Sequence, residues 1–456
     1  VDPLLAGDLA DLPGLLQTTR DHAVRLLDDL EERAVARTPA AVRPATLPAR
    51  GIGAAGALES FGERWAPGFS ASAGPRYLGF VTGGATPAAL AGDWITATLD
   101  QNGSNRSGSS AAALEDETVG WLRTMFNLGP AFDGAFVSGA TMSNMVGLAI
   151  GREWLGEQLG VQVSQEGIAA LGPITVLSGT PHSSIVKALA MLGIGRSSLR
   201  SVPTLPDREA VDVAALAAAL DDLGGRPAIV VANAGTVNTV DFDDLRAIAA
   251  LRSRYPFWLH TDAAFGAFAA LSPTYAHLVD GLDESDSVCV DLHKWLNVPY
   301  DSAVQFTRRR DLQIRVFQNT AAYLGDPGPN PDHVHLTPEN SRRLRALAAW
   351  FTLAAYGSAG HREIVERDIQ AAHQLGARLA ALPGVRLLSP VRLNVCCFTF
   401  PGDIQAAVRS IADAGDAFLT PTVYRGEPAL RAAFSNWRTT PADVDRVVET
   451  LREHLR

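Results

Sequence analysis

The chain predicts an α/β fold with a smaller C-terminal domain. Three features of its 456 residues carry that reading. Short apolar runs alternate with helical patterns through the middle, the mark of a sheet covered by helices. The pattern changes after about Ser341. Small polar clusters, each holding chemically useful side chains, fall where the apolar runs end.

At the N-terminus, residues 14–37 place Leu16, Ala23, Leu26, Leu27, Leu30 and Ala34 at roughly helical spacing, with charge on the other face. This is an amphipathic helix that needs a surface to cover, on its own body or on a partner subunit. The Pro/Ala/Gly-rich stretch "RTPAAVRPATLPARGIGAAG" then reads as a connector. The strands expected next are "GAFVS", "ITVLS", "AIVVAN", "FWLHTD" and "SVCVDLH", with helices beginning near Met142, Ser183, Asp243 and Thr274. Beyond Ser341 come a long helix, "SRRLRALAAWFTLAAYG", an apolar run, "RLNVCCFTF", and a terminal helix, "TPADVDRVVETLREHL", whose early acidic residues suit the helix dipole.

Composition narrows the function. Hydrophobic residues make up 47% and charged residues 19%, as in globular proteins, and the net charge of −10 gives no electrostatic basis for binding nucleic acid. The expected partners are a small molecule and another subunit. Cys289, Cys396 and Cys397 show neither a disulfide framework nor metal-ligand spacing, and fit a reducing cytoplasm. The first residues lack the basic start and apolar core of a signal peptide, and no apolar run approaches the ~18 residues of a membrane span. A cytoplasmic protein without a metal is expected.

In open α/β sheets, ligands bind beyond the carboxyl ends of the strands, and five such ends stand out. In "FVSGATMSNMVGLAIGRE", Gly139 and Ala140 let an anion approach the backbone, Thr141 offers a hydroxyl, and a helix start supplies N–H groups. The Gly-Lys-Ser/Thr ending of a P-loop is absent, and a simple capped helix would look the same. "VLSGTPHSSIVKAL" puts His182 at a helix entrance, as cap or as ligand. In "VVANAGTVNTVDFDDL", Gly235 and Thr236 contact a ligand or merely make a turn. Asp262 ends the apolar "FWLHTD" and is followed by the small Ala263 and Ala264. A buried carboxylate needs a partner, either a salt bridge or the protonated ring nitrogen of a flat ligand. Lys294, in "VDLHKWLNVPYDS", lies 32 residues further on (294 − 262), a spacing that suits consecutive strand ends. A surface lysine would read the same way, whereas burial would disfavour a charged ammonium and free a nucleophilic amine. An anion cradle, an imidazole, a ring-nitrogen carboxylate and an imine-forming lysine together are the parts that pyridoxal 5′-phosphate (PLP) requires.

"DAAFG", "DLHKWLNVPYDS" and the upstream "HSS" resemble the group II PLP-dependent amino acid decarboxylases, typified by aromatic-L-amino-acid decarboxylase. The likeness runs from about Pro75 to the C-terminus and includes "NSRRLRALAAWFTLAAYG". It implies a fold-type I enzyme: a mostly parallel central sheet flanked by helices over residues 75–343, an α+β domain over 344–456, and an N-terminal helical arm and connector over 1–74. It implies a homodimer with sites at the subunit interface. Carried across, Lys294 is the Schiff-base lysine, Asp262 partners the pyridine nitrogen, His182 stacks on the ring and Ala264 packs on its other face. Ala140 and Thr141 hold the phosphate, His293 sits beside the lysine, and Thr236 borders the cofactor. Tyr323, in "NTAAYLGDPGPNPDHVHLTPEN", matches a loop tyrosine that reprotonates the substrate carbon.

Departures from the family pattern concern the substrate. "GSSAAALEDE" stands where "SPAxTELE" is usual, "QNGSNRSG" lacks a frequent aromatic residue, Met142 replaces a common glutamate and Val237 a frequent threonine. Tyr77 and Phe80 are candidate substrate contacts, and Arg106 either meets an acidic substrate side chain or is a solvated surface arginine. The expected reaction is decarboxylation to an amine. Oxidative decarboxylation–deamination to an aldehyde, a C–C lyase and a non-catalytic PLP-binding scaffold are the alternatives.

Overall fold

The computed structural model describes residues 1–36, 41–319, 327–328 and 330–455. Its main sheet comprises β1 (Asp133–Val137), β2 (Val176–Ser178), β3 (Leu199–Ser201), β4 (Ala228–Asn233), β5 (Phe257–Asp262), β6 (Ser287–Val290) and β7 (Ala303–Thr307). Their spatial order is β1-β7-β6-β5-β4-β2-β3. Strands β3, β2, β4, β5 and β6 pair in parallel, while β7 runs antiparallel to both β6 and β1. The sheet is therefore mostly parallel, as the resemblance implied. Every residue of β4 and β5 is buried, which is why each opens on a continuous apolar run, Ala228–Ala232 and Phe257–Leu259, rather than an alternating one.

A second sheet, β8 (Arg386–Leu387), β9 (Val395–Thr399), β10 (Thr420–Tyr424) and β11 (Glu427–Ala433), has the order β10-β11-β9-β8 and is antiparallel throughout. Its core includes Leu375, Phe398, Leu430, Phe434 and Val448. The helix Ala346–Ala380 packs against helices flanking the main sheet and against β9, and is broken at Gly357, whose φ of 58° lies in the left-handed region. The terminal helix Pro441–His454 carries a capping box between Thr440 and Asp443.

Some expected boundaries move. The helix foreseen near Asp243 starts at Leu245, because the Asp244 carboxylate caps it by accepting from Ala247 N–H. The one foreseen near Thr274 is a single 3₁₀ turn, Ala276–Val279. The N-terminal helix spans Leu12–Asp28 and follows a separate helix, Pro3–Ala10. Among the described residues no helix is long and apolar enough to cross a membrane.

Candidate active site

Residues two apart on a strand share a face, so Trp258, His260 and Asp262 of β5 point the same way. The helix Ala140–Leu159 crosses that face at close range. A Cβ at Gly147 would stand 2.6 Å from His260 Cε1, and one at Gly151 would stand 2.7 Å from Trp258 Cδ1. The missing side chains let the helix settle onto the strand, and this brings Asn144 against Asp262. Asn144 Nδ2 donates to Asp262 Oδ2 at 2.9 Å and to Ser184 Oγ at 3.0 Å. The other Asp262 oxygen accepts from Ala264 N–H at 3.2 Å.

His182 caps the helix Ser183–Met191, its Nδ1 accepting from Ser184 N–H at 3.2 Å. Burial lowers its pKa, against the opposing pull of the Asp262 carboxylate. Deeper in, burial pushes the pKa of His260 down to about 4, and its ring bridges Asn144 and Ser287. Both imidazoles are thus neutral near pH 7.

β6 ends at Val290, and the short helix Leu292–Trp295 follows at once. The residue between them, Asp291, gathers three donors. Lys294 Nζ lies 3.3 Å from Oδ2, while His293 Nε2 and Ala140 N–H each approach Oδ1 at 3.2 Å. Burial would raise this carboxyl, but Lys294 and His293 outweigh it and hold the pKa below its ordinary value. Lys294 is 19% exposed in its side chain, and its ammonium also sits 5.5 Å above the Phe265 ring. The lysine therefore has a carboxylate beside it as well as the burial expected from sequence.

These strand ends enclose one cavity of about 370 Å³, within the usual range for small-molecule sites. It is lined by Ala140, Thr141, His182, Thr236, Asp262, Ala264, His293 and Lys294, and by Phe80 at its mouth. Eight of the expected cofactor positions and one expected substrate contact thus come together. Thr236 reaches the cavity with its hydroxyl committed to Glu209. Tyr77 is not part of the lining and stacks on Phe418 at 4.7 Å between ring centroids. Arg106 is also elsewhere, paired with Asp116 and donating to the Pro331 carbonyl. Tyr323 lies outside the described residues.

Sequence reasoning passed over Asn144, His260, Asp291, Tyr300 and Arg431. The last comes from β11 in the second sheet, donates to the Val237 carbonyl, and leaves its buried Nε without an acceptor. Arg431 also lines the cavity, and a guanidinium in its wall suits an anionic ligand. A lysine, a carboxylate held by hydrogen bonds, a neutral imidazole, a small alanine wall and a cation form a donor set that fits PLP.

Comparison with known proteins agrees. The pyridoxal-dependent decarboxylase conserved domain matches residues 55–400, so the chain belongs to that PLP-dependent family, and its sequence relatives include named amino acid decarboxylases. An aromatic-L-amino-acid decarboxylase of Bacillus atrophaeus is 26% identical over 397 residues, covering 83% of this chain and 80% of that protein. In structure the chain resembles Oryza sativa TDC, solved with PLP and tryptamine, with a TM-score of 0.89, 23% identity and 100% of both chains covered. It also resembles Rhodiola rosea 4-hydroxyphenylacetaldehyde synthase, with a TM-score of 0.86, 20% identity, and 98% of this chain and 99% of that one covered.

Proposed function

We propose that the chain removes the α-carboxylate of an L-amino acid, giving an amine and CO₂, with Lys294 as the residue that holds PLP through its amine. The observation that carries this reading is the convergence of Lys294, Asp262 and His182 on a single cavity. When bound, PLP supplies an electron sink for the bond broken at the substrate Cα. Asp262, kept as an acceptor by Asn144 and the Ala264 amide, holds the proton of a ring nitrogen. His182 and Ala264 offer a flat neutral face and a small one to the two sides of a ring. Ala140, Thr141 and His293 border the place for a phosphate, with Thr236 beside it.

Arg431 supplies a cation for the substrate carboxylate. Tyr323 is the residue we assign to reprotonation, on its match to the family loop. Phe80 and Tyr300 at the mouth favour an apolar or aromatic side chain. The exposure of these two rings also supports a homodimer in which a partner subunit covers the entrance.

The test is turnover of a panel of aromatic, acidic and basic L-amino acids by the PLP-loaded protein, with amine, aldehyde and CO₂ measured. Amine with CO₂ from one member supports the decarboxylase and names its substrate class. Aldehyde with ammonia moves the protein to the oxidative reading, which shares this fold. No product, with PLP still bound, favours the scaffold.

A further inference from the structure

Beneath the cavity floor lies a buried polar network whose proton positions are fixed by the chemistry of its members. An ionised carboxylate only accepts, so the side of Asn144 facing Asp262 is its NH₂ group, and its Oδ1 faces His260 Nε2 at 2.9 Å. His260 therefore carries its proton on Nε2, and its Nδ1 accepts from Ser287 Oγ–H at 2.7 Å. Ser287 in turn accepts from Trp258 Nε1–H at 3.1 Å. On the other branch Ser184 Oγ accepts the second Asn144 N–H, and donates its own proton to His182 Nδ1 at 2.8 Å. Asn144, Trp258, His260, Ser184 and Ser287 are all buried. Both amide hydrogens and the amide oxygen of Asn144 are thus in use.

We infer that Asn144 is a positioning residue for the cofactor: one amide, braced by His260, Ser287 and Trp258, sets the orientation of Asp262 and links it to the Ser184–His182 arm. No other side chain touches Asp262 and this arm at once among the hydrogen bonds of the described residues. The consequence is that the carboxylate meant for the ring nitrogen and, through Ser184, the imidazole meant for the ring face are held by one group that is not part of the cavity lining. The inference rests on the PLP reading above and adds a residue to it.

Asn144→Leu is close in size but has no donor. Its apoprotein is expected to bind PLP at least tenfold more weakly than wild type. The reconstituted variant is expected to lose at least tenfold in kcat, with KM for the amino acid changed less than threefold. Thermal melting of the apoprotein runs alongside. A lowered melting temperature with unchanged PLP affinity and kcat would reduce Asn144 to a packing residue and overturn the inference. Should Asn144→Leu not fold, Ser184→Ala decides. It leaves one Asn144 N–H unpaired and strips a donor from His182, so a several-fold fall in kcat supports the wiring and wild-type kcat refutes it. Failure of the wild-type apoprotein to bind PLP is a different outcome, since it sinks the parent reading before any variant is compared.

Discussion

Two buried side chains in β5 behave in opposite ways, and each is open to test. Asp262 has hydrogen-bond donors on both oxygens and faces the cavity. In the proposed reaction its charge matters most as the substrate bond breaks, so Asp262→Ala is expected to lower kcat by about a hundredfold or more while KM changes little. Steady-state kinetics on the fully loaded variant check this, and unchanged turnover would remove Asp262 from the mechanism. His260 is instead held neutral, its pKa lowered to about 4 by burial. An unfolded histidine titrates near 6.5, so between pH 6.5 and 4 the unfolded chain binds the extra proton. Stability from this residue is fully present above pH 6.5 and falls by about 3 kcal/mol as the pH drops to 4. His361, also lowered to about 4 by burial, adds a similar loss. Urea unfolding at pH 7 and pH 4.5 is expected to show a smaller acid penalty in His260→Gln than in wild type. Equal penalties would mean that His260 is protonated in the folded protein.

Among the elements, the approach of the helix Ala140–Leu159 to β5 does most to assemble the site, and glycine makes it possible. Gly147→Ala puts a Cβ 2.6 Å from both Cε1 and Nδ1 of His260. The ring is pinned by Ser287 and Asn144, so helix and strand must separate, at about 1–3 kcal/mol. Gly120, in the helix Ala111–Met125, has nothing within 4 Å of a built Cβ. Gly120→Ala is therefore expected to stabilise by about 0.4–1 kcal/mol through the unfolded chain. Paired thermal melts check both signs, and a neutral Gly147→Ala would mean the crossing is looser than drawn. The same contrast explains what could be read in the sequence. β4 and β5 were legible residue for residue because each opens on an uninterrupted apolar run and ends in a polar residue that lines the cavity. β3 has only three residues, largely exposed, and escaped notice. Arg431 lies in the second sheet, and no local pattern connects it to strand ends more than a hundred residues earlier. Asn144 sits inside a helix, where nothing marks it except the crossing itself. His260 could have been found, since it precedes Asp262 by two residues on the same face.

For the whole molecule, the unfinished question is what covers the apolar surface near the site. Phe80 is 60% exposed and Tyr300 63%, both at the cavity mouth. The helices Pro87–Leu99 and Ala111–Met125 also present Trp94, Ile95, Leu99 and Trp121 to solvent. Exposed large apolar residues taken singly are ordinary, and the dimer proposal assigns this group of them to an interface. In the proposed homodimer this surface meets a second copy, and excluding water from the cavity strengthens the interactions of Asp262, Lys294 and Arg431 with ligand. Sedimentation at micromolar concentration is expected to give twice the chain mass for wild type. Ile95→Glu combined with Leu99→Glu, on one exposed helix, is expected to shift the protein to monomer and to lower kcat/KM more than tenfold. A monomeric wild type with full activity would refute the dimer. A monomeric double variant that keeps full turnover would show that one chain closes its own site, leaving the exposed rings at the mouth for substrate rather than for a partner.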